Sequence, residues 1–158
     1  MHNLIIEVSK TKIEEEERMN EILENWVYNE IEYASVLEGE EREDGIRRLL
    51  YAIDEEYAFI DEEGRIVIKK DPIAIAEEDC RRIKALANEL TPEDLACFSS
   101  LKSYDIEKTV KGGLDWATIM IYDEYGFYPV RKWLIAQHEV MKTETPAYFI
   151  GGVLDYKY

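Results

Sequence analysis

The strongest pattern in the sequence is a helical one that runs over residues 11–37. At 100° per residue its apolar side chains fall in one arc, which predicts a long amphipathic helix. The apolar arc comprises Ile13, Met19, Leu23, Trp26, Val27, Ile31, Ala34 and Leu37. The opposite arc comprises Glu14, Glu17, Glu21, Glu24 and Glu32, with Tyr28 among them. We therefore expect one face to pack on a core and the other to form a ridge of carboxylates.

Other segments give shorter signals for strands and helices. Residues 3–8 are apolar and β-favouring, and residues 57–60 and 65–69 read as a hairpin in which Gly64 supplies a positive φ. Residues 38–44 read as a charged connector. The spacing of apolar residues predicts further helices over residues 46–53, 76–90 and 114–125, and another from Pro129, while residues 147–158 read as one or two closing strands that bend at Gly151-Gly152.

Thr91-Pro92-Glu93-Asp94 marks a helix start. Threonine is a favoured N-cap, proline is favoured at the first helical position, and Asp94 can reach back to the cap as in a capping box. Gly112-Gly113 is expected to stop the helix that follows, and Gly126 to cap the next one.

Together these elements predict an α+β fold that is dominated by helices, with about five or six helices and a small antiparallel sheet or hairpin. The length fits a single domain over residues 1–158. Residues 70–72 form a candidate seam, because the residue before Pro72 is disfavoured in helical geometry. An acidic lobe (1–70) would then join a near-neutral lobe (71–158).

Acidic charge is concentrated in the first part of the chain. The net charge is −16, from 35 acidic and 19 basic side chains, and residues 1–63 alone carry 20 acidic against 6 basic ones. Such a field repels nucleic acids and anionic lipids, since phosphate binding depends on Lys and Arg. It attracts basic protein surfaces. The charge therefore argues against direct nucleic-acid binding and for a basic protein partner.

The chain has no features of a secreted or membrane protein. Its two cysteines, Cys80 and Cys97, cannot form a disulfide framework, and no signal-peptide pattern opens the sequence. Its longest apolar runs are far shorter than the roughly 20 residues of a membrane span. We expect a cytoplasmic protein that makes no membrane contact.

Signals for catalysis, metals and cofactors are weak. His138-Glu139 begins like the zinc motif H-E-x-x-H, but Lys142 stands in place of the second histidine. Neither glycine pair matches a phosphate-binding loop, so we expect no cofactor and no metal. Glu30 and Asp115, which adjoins Trp116, are where a raised carboxyl pKa would be sought if the chain were an enzyme.

The acidic ridge carries the sharpest functional prediction. Carboxylates three and four residues apart on a helix lie about 5 to 6 Å apart, a spacing comparable to that of phosphates along a nucleic-acid strand. Such a surface can occupy the nucleic-acid groove of a protein such as a nuclease. The predicted partner-binding residues are Glu14, Glu17, Glu21, Glu24, Glu32, Glu40, Glu41, Glu43, Asp44, Glu55 and Glu56.

Three alternatives remain open at this point. An acidic helix face is most often simply solvated and improves solubility. The chain could instead be a small enzyme that uses buried carboxylates, or a homo-oligomeric structural protein whose less charged half forms the interface. In size, charge and helix-rich content, however, it resembles the acidic inhibitors that phages and mobile elements encode against restriction or CRISPR nucleases. That resemblance implies inhibition by nucleic-acid mimicry.

Overall fold

The computed structural model of the chain describes residues 3–13, 33–96, 100–110 and 119–157. Within these ranges the structure has seven strands and five helices. They are β1 (Asn3–Ser9), β2 (Tyr33–Val36), α1 (Gly39–Ile53), β3 (Ala58–Ile60), β4 (Arg65–Ile68), α2 (Ile73–Asn88), α3 (Pro92–Ala96), α4 (Leu101–Val110), β5 (Ile119–Asp123), β6 (Gly126–Pro129), α5 (Val130–Met141) and β7 (Ala147–Lys157).

All seven strands belong to one mixed sheet, with the order β3-β4-β7-β1-β5-β6 and with β2 paired to β7. β1 is parallel to β5 and antiparallel to β7. The fold is α+β, but the prediction of a small antiparallel sheet or hairpin was wrong. The predicted hairpin β3–β4 is one end of a much larger sheet, because most of its pairings join segments that are distant in sequence. The sheet takes strands from both sides of residues 70–72.

β1 lies at the centre of the sheet, and its residues are buried on both faces. Leu4, Ile6 and Val8 pack in the main core, to which α1 contributes Leu49 and Ile53 and α5 contributes Val130, Trp133 and Leu134. Ile5 packs on the opposite face with Leu154 and Tyr156. The continuous apolar run of residues 4–6 is the pattern expected of a strand covered on both sides.

β7 carries an interruption on the side away from β1. Its first part pairs with β4 and its last part with β2, which leaves the carbonyl groups between them without a strand partner. The guanidinium of Arg42 donates to the carbonyl oxygens of Ile150, at 3.2 Å, and Gly151, at 2.9 Å. The backbone N–H of Leu37 donates to the Val153 carbonyl at 2.8 Å. The Arg42 side chain and the Leu37 amide thus supply hydrogen bonds to β7 where no neighbouring strand pairs with it.

On its other side, β7 has a bulge opposite Glu7. Ile6 pairs with Val153 and Val8 with Ile150, so Glu7 alone faces Gly151 and Gly152. The Glu7 side chain is fully buried, and its Oε2 accepts the Gly152 N–H at 3.1 Å. A Cβ at Gly151 would lie 2.4 Å from that oxygen, so glycine is needed there.

Several local predictions are confirmed. Gly64 turns the β3–β4 hairpin with a φ of +76°. Thr91 and Asp94 bond reciprocally, with Thr91 N–H to Asp94 Oδ2 at 3.0 Å and Asp94 N–H to Thr91 Oγ1 at 3.2 Å. α5 follows Pro129 directly, and residues 147–157 form one strand.

Three local predictions were wrong. The segment expected to be a charged connector is the first part of α1, which begins at Gly39. Residues 33–36, which include Ala34 of the predicted long helix, form strand β2, because pairing with β7 overrides the helical spacing. Ile121 lies in strand β5 rather than in a helix over residues 114–125. Residues 11–13 and 37 of the same predicted helix are not helical either, and its residues 14–32, like Gly112-Gly113, lie outside the described residues.

The outer helix α2 contacts the core through its partly buried Ile75 and through α5. α2 contributes no buried residue, yet Arg131 of α5 holds Asp79 of α2 with two hydrogen bonds, Nε to Oδ2 at 3.1 Å and Nη2 to Oδ1 at 2.8 Å. α4 packs on α2. Among the helices of the described ranges, we find none with both the length and the apolarity to cross a bilayer.

Candidate functional site

The packing of α1 decides which of its side chains face solvent. The helix lies so close to β7 that a Cβ at Gly45 would stand 2.8 Å from Val153 Cγ1. Leu49 and Ile53 continue this buried stripe one and two turns further on. The acidic residues of the first two turns are exposed to solvent. Two of them, Glu40 and Glu41, also lie in the first turn, where negative charge interacts favourably with the helix dipole.

A large open groove runs beside this end of α1. Its volume is about 850 Å³, and β2 and β7 contribute Ser35 and Asp155 to its wall. Leu4 and Leu37 provide apolar surface there. The remaining side chains of the wall come from α1 and are Glu40, Glu41, Glu43, Asp44, Arg47 and Arg48.

Acids outnumber bases in this groove by five to two. Asp44 and Arg47 form an exposed ion pair at 3.0 Å, which neutralises one of the acids. Glu40, Glu41 and Glu43 form no ion pair with any described residue and are exposed. We call the exposed acids Glu40, Glu41, Glu43 and Asp44 the α1 acidic cluster.

The other predicted partner-binding residues do not join this cluster. Glu55 and Glu56 are exposed in the turn that follows α1, at the opposite end of the helix. Glu56 accepts a hydrogen bond from the Lys70 ammonium, which raises the pKa of Lys70. Glu14, Glu17, Glu21, Glu24 and Glu32 lie outside the described residues, as do Glu30 and Asp115.

His138 makes a structural contact in place of the incomplete zinc motif. Its Nδ1 lies 2.9 Å from Asp71 Oδ1, and Asp71 also accepts the Ile73 N–H at the start of α2. The hydrogen bond from Ile73, and secondarily the one from His138, holds the pKa of Asp71 below its usual value. In the part of the chain that the structure describes, no group of three or more His, Cys, Asp or Glu side chains is placed to hold a metal ion.

A second concavity lies at the carboxyl ends of the parallel strands β1 and β5. Two adjoining cavities of about 240 and 250 Å³ share Asp123, Tyr125, Val140 and Tyr148 in their walls. We call this combined space the strand-end crevice. The first cavity extends to Ser9, Lys10 and Thr11, just past the end of β1, and the second extends over Trp133 of α5. In open sheets, the carboxyl ends of parallel strands are where ligands commonly bind.

A chain of hydrogen bonds fixes one wall of the crevice. The Tyr148 hydroxyl donates to Gln137 Oε1 at 2.7 Å, and Gln137 Nε2 donates to the Trp133 carbonyl at 2.9 Å. The ring of Tyr148 contacts that of Trp133 edge-on, with centroids 5.3 Å apart. Burial raises the pKa of Tyr148, so this residue is a neutral hydrogen-bond donor at physiological pH. The indole Nε1 of Trp133 is buried and has no hydrogen-bond partner among the described residues.

The opposite wall is the turn between β5 and β6. The Asp123 carboxylate accepts the Tyr125 N–H at 2.9 Å and makes no ion pair with any described residue. The Tyr125 ring is 79% exposed, and a hydrogen bond to Glu124 raises the pKa of its phenol. Lys10 is paired with Glu144, which raises the pKa of Lys10 and neutralises both side chains.

This crevice was not predicted from the sequence. Its walls converge only because β1 and β5 are neighbours, and residues 119–123 had been assigned to a helix. The signal available in the sequence was the run Ile119-Met120-Ile121-Tyr122, whose β-branched and aromatic residues are typical of a strand.

Comparisons with known proteins give no relative: no protein-family model, no curated protein and no solved structure matches the chain.

Proposed function

We propose that this chain is an acidic protein-binding domain that holds a basic surface of a partner protein against the groove beside α1. The observation that carries the proposal is the α1 acidic cluster, four exposed carboxylates on two turns of one helix at the wall of the 850 Å³ groove, three of which form no ion pair with a described residue. A concave surface with unneutralised charge can hold a complementary convex one while its charge steers the encounter.

The partner that fits best is a nucleic-acid-binding protein, for instance a nuclease. Glu40 is three residues from Glu43 and four from Asp44, so the Cβ atoms of neighbouring acids lie about 5 to 6 Å apart along the helix. A protein groove built to bind successive phosphates presents Lys and Arg at similar intervals. Occupation of that groove by this chain would inhibit the partner by mimicry.

The test compares two triple variants that remove the same charge from different places. Glu40→Gln, Glu41→Gln and Glu43→Gln alter the cluster, whereas Glu62→Gln, Glu77→Gln and Glu89→Gln neutralise exposed acids elsewhere. Each protein is immobilised and used to capture proteins from lysate at low salt, with mass spectrometry of the fraction that high salt elutes.

We expect the unaltered chain and the second variant to retain basic nucleic-acid-binding proteins. The cluster variant should lose them. Purified candidates should then bind with an association rate that falls steeply with added salt. Equal capture by both variants would mean that overall charge, rather than this surface, is responsible, and would overturn the proposal.

A further inference from the structure

We infer that the strand-end crevice is a second binding site, which takes a small organic cation with an aromatic or apolar body. The site is separate from the groove beside α1, and its ligand is defined by the chemistry of its two walls.

The apolar part of the ligand is defined by the aromatic wall. Trp133, Tyr125, Tyr128 and Tyr148 line the second cavity together with Ala136 and Val140. A cavity of this kind, mostly apolar with a few polar groups, is typical of small-molecule sites. The wall is preorganised, because Tyr148 is fixed by Gln137, and Gln137 by the backbone of Trp133.

The charge of the ligand is defined by the acids at the turn. Once Lys10 is paired with Glu144, the remaining charged groups of the walls are Asp123, Glu124 and Lys132, so the crevice is net negative. Asp123 already orients its carboxylate through the Tyr125 N–H yet pairs with no described cation. An ammonium group beside Asp123 would gain both this carboxylate and the electron-rich faces of the tyrosines.

Neither the aromatic wall nor the acidic turn selects the ligand alone, and the two together do. An anion would meet the two carboxylates of Asp123 and Glu124 against the one ammonium of Lys132, and a neutral aromatic molecule would leave the Asp123 carboxylate without a cationic partner. A bare inorganic cation would not use the rings, and the described acids form no cluster that could hold a metal.

The test is an NMR titration of the full chain, labelled with ¹⁵N, with phenethylammonium as the probe. Phenylacetate and 2-phenylethanol serve as its anionic and neutral counterparts. We expect phenethylammonium to bind with a millimolar dissociation constant, as befits a ligand of this size. It should shift the amide signals of residues 123–125 and the indole signal of Trp133, which a Trp133→Phe variant identifies.

Three single variants complete the experiment. Asp123→Asn keeps an acceptor for the Tyr125 N–H but removes the charge, and should weaken phenethylammonium about tenfold. Tyr125→Ala removes an exposed ring and should weaken it about threefold. Glu62→Gln removes a charge from the β3–β4 turn and should leave binding unchanged.

Three outcomes would overturn the inference. The first is no shift with phenethylammonium in a protein whose spectrum shows that it is folded. The second is equal or stronger binding of phenylacetate or 2-phenylethanol. The third is an Asp123→Asn variant that binds the cation as well as the unaltered chain does.

Discussion

The carboxylate of Glu7 occupies the space that a side chain at Gly151 would need. Glu7 is fully buried in the central strand, and its Oε2 bonds to the amide of Gly152 across the bulge. A Cβ at Gly151 would stand 2.4 Å from this oxygen and 2.5 Å from Ile13 Cδ1. The polar contact and the glycine therefore depend on each other.

Gly151→Ala should lower the free energy of unfolding by about 2 kcal/mol, because the fully buried Glu7 carboxylate must shift from its bond with the Gly152 N–H to make room for the Cβ. Urea denaturation measures the effect. In a Glu7→Ala background the same substitution should cost less, since one of the two clashing groups is gone. A penalty that is the same in both backgrounds would argue against the clash with Glu7.

Arg42→Ala should cost about 2 kcal/mol in unfolding free energy, because the carbonyls of Ile150 and Gly151 lose a charged donor in a partly buried place. Arg47→Ala is the matched control. Arg47 lies on the same helix, but its ion pair with Asp44 is exposed, and exposed pairs contribute little. Similar losses of unfolding free energy in the two variants would show that the Arg42 guanidinium is not needed at the interruption in the pairing of β7.

Acid should destabilise the protein partly through Asp71. The hydrogen bonds from Ile73 and His138 lower the pKa of this carboxyl in the folded state. The stability that ionised Asp71 adds to the folded state is therefore fully present above the pKa of this carboxyl in the unfolded chain, about 4. It is lost as the pH falls through the lower pKa of the folded state. Asp71→Asn should flatten the dependence of Tm on pH between about pH 5 and 2.5. An unchanged slope would assign the acid sensitivity to other groups.

Arg131→Lys should loosen α2 while leaving the sheet intact. Lysine cannot reproduce the two-pronged contact with Asp79, and α2 has no fully buried residue, although its partly buried Ile75 packs against the main core. Hydrogen exchange should become faster in α2 and stay slow in β1. Unaltered hydrogen exchange in α2 would show that contacts other than the Arg131–Asp79 pair hold this helix.

Features encoded by neighbouring residues were predictable from the sequence. The Gly64 turn, the Thr91–Asp94 cap and the start of α5 after Pro129 each depend on a few adjacent side chains. The secondary structure of residues 33–36 and 119–123 depends instead on pairing with β7 and β1, which are remote in sequence. Ile121 fits a helical spacing as well as a strand, and pairing with Ile6 decides between them.

The same distinction applies to the candidate sites. The α1 acidic cluster is contiguous in sequence, and so Glu40, Glu41, Glu43 and Asp44 could be predicted as a group. The strand-end crevice draws Lys10, Asp123, Trp133 and Tyr148 from four separate segments. No spacing within any one segment indicates that they meet.

The central position of β1 also has a kinetic consequence. Leu4 pairs with Ile119 and with Asp155, so this apolar strand has no partner close to it in sequence. Pairings of this kind require large loops to close and form slowly. Until β5 and β7 pair with β1, the folding chain exposes the apolar segment Leu4, Ile5 and Ile6. Self-association through this segment competes with folding at that stage.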